Sequence, residues 1–560
     1  MEYNRRKFLS FLGKASLGVM ATPPFLVSCG STTTPLSSKN ISNEDLDRLK
    51  KVILKNLAPT DQDDLILTEG LQHHVIVKWG DQISNTDTFG FNNDFTCFIP
   101  LNDNNPKDGL LWVNHEYVNP LFVSNFDYRT YRNPMEHRTI EQVNKEMYNV
   151  GGSIIRIKEV NGKWEVVKND PYNRRITAHT PMQLNWDTPI KGKTIAIGTN
   201  SNCSGGITPW KTFLTCEENY SDVFGETMYD SDNNPMHKQS NLDWERFYNY
   251  PPEHYGWVVE IDPKTGNAQK HIALGRFAHE CCTLYELKDK RVVAYTGDDK
   301  NDEHLYKFVS SKPHSLKEGT LYVADTINGK WLALDYKTQP ILQEHFKNQT
   351  EVLIRAREAS KLLGATELNR PEDIEIDPIT GNILITLTNN KPKNDVHGSI
   401  LKIEESNGKF DALTFNASTY LAGGKENGFS CPDNLAFDLS GNLWMTSDMS
   451  GSSMNRSDKP YMPFKNNSLF VIPRHGENAG KVIRVASAPR DAELTGPWFS
   501  PDGKTLFLSV QHPGEQTNDL KHPTSTWPFD KDGIPKSAVV AIQGDLIEKM
   551  NNLHKISTLQ

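Results

Sequence analysis

The chain has 560 residues, 37% of them hydrophobic, with 61 Lys and Arg against 70 Asp and Glu. Its formal net charge of -9 speaks against a nucleic-acid-binding surface and suits a site crowded with carboxylates. Such a length ordinarily implies two or three domains, yet an all-β repeat architecture can carry it as one unit.

The N-terminus reads as an export signal. Arg5 and Arg6 precede a mildly apolar run, and the small residues before Cys29 form a lipobox. Residues 1–28 are therefore expected to be removed on the twin-arginine route, leaving a periplasmic or cell-envelope lipoprotein anchored only by lipid on Cys29. An ordinary secretory signal is the alternative, and it too leads to export. A polar Ser/Thr-rich tether follows, and "SNEDLDRLKKVILKNL" places Leu46, Leu49, Ile53 and Leu57 on one face of a short helix. Tether and helix take residues 29–60, and residues 61–560 are expected to form a single β-propeller domain.

Short strands recur in two phrases. "GGSIIRIKEVNGKWEVV" from Gly151, "GWVVEIDPKTGNAQKHI" from Gly256, "GSILKIEESNGKFDAL" from Gly398 and "NSLFVIPRHGENAGKVIRV" from Asn467 each read as an outer hairpin. "RPEDIEIDPITGNILITLT" from Arg370, "CPDNLAFDLSGNLWMTSD" from Cys431 and "TGPWFSPDGKTLFLSVQ" from Thr495 read as inner hairpins with polar openings. Four-stranded repeats of this kind mean an all-β propeller, six blades being expected within a range of five to seven. The late strand "SAVVAIQ" is expected to complete the first blade. Insertions 131–150 and 339–368 are helical in composition and are expected to decorate the rim.

In a propeller the polar openings of the inner strands converge on the central channel. They bring Asn114-His115-Glu116, Cys203, Glu217-Glu218, His279-Glu280, Asp298-Asp299, Arg370, Glu372-Asp373, Asp433-Asn434, His512 and Glu515 toward one mouth. So many carboxylates need cations, and their oxygens suit Ca²⁺, whereas a thiolate among them calls for a softer or more strongly Lewis-acidic metal such as iron. Seven cysteines leave six after Cys29, enough for three disulfides, but a chain this large needs none, and most are expected to be buried thiols. No G-x-S-x-G elbow and no G-x-x-x-x-G-K-[ST] loop offers another nucleophile or phosphate cradle.

The phrases "VIVKWGD", "FGFNNDF", "VNHEY", "NCSGGITPWKTFLTCEEN", "GRFAHE", "YTGDD", "RPEDIEID", "PDNLAFD" and "GPWFSPDGKTLFLSVQHPGE", in this order, resemble those of the PhoX-type alkaline phosphatases. The resemblance implies phosphate-monoester hydrolysis at two Fe³⁺ and several Ca²⁺ around a bridging oxo or hydroxide group. It makes Cys203 the thiolate ligand of iron, Glu280 and Glu372 carboxylate ligands, and Glu116, Glu218, Asp298 and Asp433 further ligands. Arg370 is the residue expected to grip phosphate, a rim salt bridge being its plainer alternative. Asn114, His279, Asn434, His512 and Glu515 are expected to support the ligands by hydrogen bonds. Of each adjacent acid pair, one member is expected to face the channel. Small phosphate esters are the expected partners of a monomer. A calcium-dependent phosphodiesterase or lactonase, or a non-catalytic calcium-stabilised binding propeller, is the rival reading.

Overall fold

The computed structural model describes residues 54–557, with side chains to Asn551. Six sheets surround a central channel. Their innermost strands are Asn93–Pro100, Asn202–Ile207, Thr283–Glu286, Pro371–Ile376, Pro432–Phe437 and Glu493–Phe499. Each lies against the next, and the last returns to the first, so the ring is closed. We number the blades 1 to 6 in this order.

The strands read as apolar runs because both faces of each sheet are buried between neighbouring blades. Consecutive residues of one strand serve different interfaces: Leu111 packs with Phe507 and Val539 of blade 6, and Trp112 with Phe213 and Val259 of blade 2. Val292 and Val293 divide in the same way between blades 2 and 4. Cys281 and Cys282, just before the blade 3 inner strand, also separate into these two clusters. Cys203, Cys216, Cys281, Cys282 and Cys431 are thiols, and no disulfide occurs among the described residues.

Ring closure differs from the expectation. "SAVVAIQ" supplies Ala538–Gln543, the third strand of blade 6, and does not complete the first blade. Gln72–Lys78 pairs antiparallel with it as that blade's outermost strand, while Ile66–Leu67 extends blade 5 beside Ile483–Ser487. Blade 6 is the last to be reached along the chain; the segment after its third strand forms the helix Asp545–Ser557, and the beginning of the domain provides the fourth strand.

The expected helix at 42–57 falls largely outside the described residues. Its described end is not helical: Leu54 is buried, and the Leu57 amide donates to the Arg484 carbonyl at 2.9 Å. Both insertions are helical. Ile140–Asn149 starts with a reciprocal Thr139–Gln142 capping box, and Pro340–His345, Gln349–Ile354 and Ala356–Leu363 precede blade 4. Among the described residues no helix is long and apolar enough to cross a membrane.

Candidate metal and phosphate centre

One mouth of the channel opens into a cavity of about 200 Å³ lined by ten carboxylates, one thiol and Arg370. A repeated backbone device builds it. In five blades a residue with φ between 52 and 61° stands two positions before a lining side chain: Asn92 before Asp94, Ser201 before Cys203, Arg370 before Glu372, Cys431 before Asp433 and Asp491 before Glu493. Non-glycine residues enter this left-handed region at a cost, and they cluster where a chain must aim functional groups. Blade 3 places Glu280 without that turn.

A second set arises where the next strand outward ends. Glu116, Glu218 and Asp448 directly follow strands ending at His115, Glu217 and Ser447, Asp299 follows Gly297 by two, and Gln511 ends its own strand. Blade 4 contributes no acid at this position. Its cavity residues are Glu372 and Arg370, and the second-strand acids of its two neighbours hold the arginine. Arg370 Nε and Nη2 donate to Asp299 at 2.9 and 2.8 Å, and Nη1 lies 3.5 Å from Asp448. Nη2 also approaches Glu372 Oε1 to 2.6 Å, at an angle that leaves this buried oxygen without a hydrogen bond.

Cys203 lies where two acid groups meet. Its sulfur is 3.2 Å from Glu280 Oε1, and ligand atoms of Asp94, Glu116 and Cys203, and of Cys203, Glu218 and Glu280, lie within 4.8 Å of one another. Burial, reinforced by neighbouring acids, pushes Glu116, Glu280, Glu372, Asp433 and Glu493 well above the usual carboxylate range. Burial likewise brings Asp94 up to about 7, against a hydrogen bond from Thr495, and Glu218 up to about 7, against the nearby Lys300. The Cys203 thiol is raised by burial and then by Asp94 and Glu280. Asp299 alone among these is lowered, because Arg370 and Lys300 outweigh its burial. A carboxylate set this dense, with one thiol and an unbonded Glu372 oxygen, fits multivalent cations, which would let the acids and the thiol ionise together.

The adjacent acids are resolved by their partners. Glu218 lines the cavity, with Lys300 Nζ 3.1 Å and Asn219 Nδ2 2.6 Å away, whereas Glu217 turns into blade 2 and accepts from Lys270 and from the Gly256 and Trp257 amides. For the other pair the choice of Asp298 is corrected. Asp299 lines the cavity, and Asp298 is buried in a two-pronged ion pair with Arg357 of the second insertion. Asp373 likewise turns inward, accepting from the Ile374 and Leu435 amides.

Glu515 and His512 line the cavity. The Tyr117 hydroxyl donates to Glu515 at 3.0 Å, and His512 Nε2 stands 3.4 Å from Glu493. Asn114, Asn434 and His279 do not line it. The Asn114 amide donates to the Cys203 and Ser204 carbonyls at 2.7 and 2.9 Å, anchoring the thiol's backbone, and the Asn434 amide donates to Asp433 at 3.0 Å. His279 is buried against Phe277 between the Thr296 hydroxyl and the Gly275 carbonyl, and burial lowers it to about 4.

Sequence reading missed Asp94, Asp448, Glu493, Gln511 and Lys300. The first three were findable by blade register: Asp94 occupies in "NND" the place of Cys203 in "SNC" and Asp433 in "CPD". Lys300 carried no such signal.

A search of curated proteins by sequence finds no match. Among solved structures, PhoX of Pseudomonas fluorescens in complex with vanadate, a transition state analogue, superposes with a TM-score of 0.76 at 29% identity, covering 88% of this chain and 98% of that one. A Dyadobacter fermentans protein of unknown function aligns with a TM-score of only 0.38 at 8% identity, over 85% of this chain and all of that one. The family model described as alkaline phosphatase PhoX matches residues 52–514, so the chain belongs to that family and is a phosphatase, a phosphoryl hydrolase.

Proposed function

We propose that the enzyme hydrolyses small phosphate monoesters and releases inorganic phosphate at a centre of two ferric and several calcium ions in the channel mouth. The observation that carries this reading is the meeting of Cys203 with two acid groups in a cavity whose arginine stands between Asp299 and Asp448. Cys203 with Glu280, Glu218, Asp94 and Glu116 would hold the thiophilic part of the centre, and Glu372, Asp433, Asp448 and Glu493 the oxygen-ligated part. When bound, such cations act as Lewis acids on phosphoryl oxygens and make an oxygen nucleophile available at neutral or higher pH.

The chain's own groups do the remaining work. Arg370 offers several N–H donors beside Glu372, a geometry that matches two phosphate oxygens and opposes charge growing on them. Asp299 and Asp448 hold the guanidinium in place beforehand, so little reorganisation is needed when phosphate arrives. Lys300 adds a second positive charge at the Glu218 side. Tyr117, which donates to Glu515, also borders the acid cavity.

Export on the twin-arginine route with a lipid on Cys29, and action as a monomer, complete the proposal. That route carries folded proteins, which suits a centre assembled before export. Elemental analysis together with p-nitrophenyl phosphate turnover, before and after calcium removal and restoration, tests the centre. Iron near two per chain and a calcium-dependent rate support it. Calcium without iron and without turnover refutes it.

A further inference from the structure

The second insertion reaches Arg370 through one short segment. Asp298 to Glu303 continues from the end of the strand Val292–Gly297 and includes the short strand Asn301–Glu303. Within it Asp299 holds the Arg370 guanidinium by two hydrogen bonds, at 2.9 and 2.8 Å. The same segment also holds the backbone just before that arginine, because Asn301 and Glu303 pair antiparallel with Asn369 and Leu368. Asn390 Nδ2 strengthens this seam by donating to Asp302 and Asn369 at 2.7 and 3.1 Å. Side chain and backbone of Arg370 are thus set by a single stretch of chain.

The helix Ala356–Leu363 fixes that stretch in turn. Arg357 and Lys361 are four positions apart and share a face of the helix. Arg357 Nε and Nη2 donate to Asp298 at 2.7 and 2.5 Å, and Lys361 Nζ donates to Glu303 at 2.8 Å, so the two cations clamp the segment at both ends. Asp298 is fully buried, and its Oδ1 also accepts from the Ala278 amide at 3.2 Å, while the Ala278 carbonyl accepts from the Asp299 amide at 3.0 Å. The helix itself is seated in the core by Ala356 and Ala359, and Ser360 donates to the Tyr306 hydroxyl at 3.1 Å.

We propose that Arg357 is a positioning residue for phosphate binding, acting through the segment from Asp298 to Glu303 on the orientation of Arg370. The proposal rests on the reading that Arg370 receives the phosphoryl group. A guanidinium matches two phosphate oxygens only in one plane and direction, and a displacement of about 1 Å in such a contact is costly. Asp299 fixes that plane, and Arg357 fixes the chain that carries Asp299.

The test is a double-mutant cycle on the holoenzyme, read by p-nitrophenyl phosphate turnover and by inhibition with inorganic phosphate. Arg357→Ala should lower kcat/KM by about tenfold and raise the inhibition constant of phosphate by a similar factor, with iron and calcium content unchanged. Arg357→Lys, which keeps a positive charge beside Asp298, should recover most of the loss. In an Arg370→Lys background, where no guanidinium plane is left to orient, Arg357→Ala should cost less than about twofold. If the buried charge left by Arg357→Ala prevents folding, Asp298→Asn, which removes that charge and keeps the shape, goes through the same cycle with the same expectation. Undiminished kcat/KM in the single variant, a full tenfold loss in both backgrounds, or a loss that follows metal content overturns the positioning role. An unaltered enzyme that neither turns over the ester nor binds phosphate overturns the phosphoryl reading of Arg370, and the proposal with it.

Discussion

Glu217 and Glu218 are neighbours in sequence and both are buried, yet they live in opposite electrostatic worlds. Inside blade 2 the chain provides everything Glu217 needs: Lys270 at 2.7 Å and two backbone amides. In the channel mouth, Glu218 shares one lysine and one arginine with a crowd of carboxylates. Asp298 and Asp299 repeat the division, with Arg357 behind and Arg370 in front. A buried acid with its own cation is architecture, and a group of buried acids without enough of them is a demand for ions from outside.

The sharpest way to break this comparison is to remove the ions. Chelation of calcium should abolish turnover reversibly, with recovery on adding calcium back, as measured by p-nitrophenyl phosphate hydrolysis. Next, Cys203→Ala should lower activity by at least about 100-fold and remove iron from elemental analysis while circular dichroism stays unchanged. Full activity in that variant would end the role given to the thiol. Arg370→Lys should cost on the order of 100-fold in kcat/KM without loss of metal, because an ammonium cannot form the planar paired contact.

Smaller effects separate the two kinds of acid. Glu217→Gln should lower stability by about 3 kcal/mol, since it leaves Lys270 buried against a neutral partner, with metal content unchanged. Glu218→Gln should do the reverse, weakening cation binding while leaving the chelated protein as stable or more so. Calorimetry and metal titration of the two variants read this directly.

The smallest effect expected is a dependence on pH in the chelated protein. Asp94 and Glu218 hold protons up to about 7 when folded, whereas an exposed carboxyl releases them near 4. The folded state therefore binds more protons between those limits, and stability falls as pH rises from about 4 through about 7. Melting temperature should drop over this window without calcium, and the drop should flatten once calcium is restored.

The blades were legible in the sequence because strand alternation and turn residues are local signals, and the inner and outer hairpins at Gly151, Arg370 and Cys431 form where they were read. Cys203, Glu280, Glu372 and Asp433 stood in phrases distinctive enough to single out. The choice between Asp298 and Asp299 was not local. It depends on Arg357, 59 positions onward in an insertion. Asp94, Asp448 and Glu493 were hidden for a different reason: each is one ordinary acid until the left-handed residue two positions earlier, or the end of a neighbouring strand, shows where it points.

The strand Gln72–Lys78 has a kinetic consequence. Its partner Ala538–Gln543 is the last of the described strands, at the far end of the chain, so blade 6 stays incomplete until that strand has been made. Until then the unpaired edge of Gln72–Lys78 is open to pairing with another chain, and contacts of such long sequence separation form slowly. Chains truncated before Ala538 should therefore be prone to aggregate, even though five blades and every lining acid are already present in them.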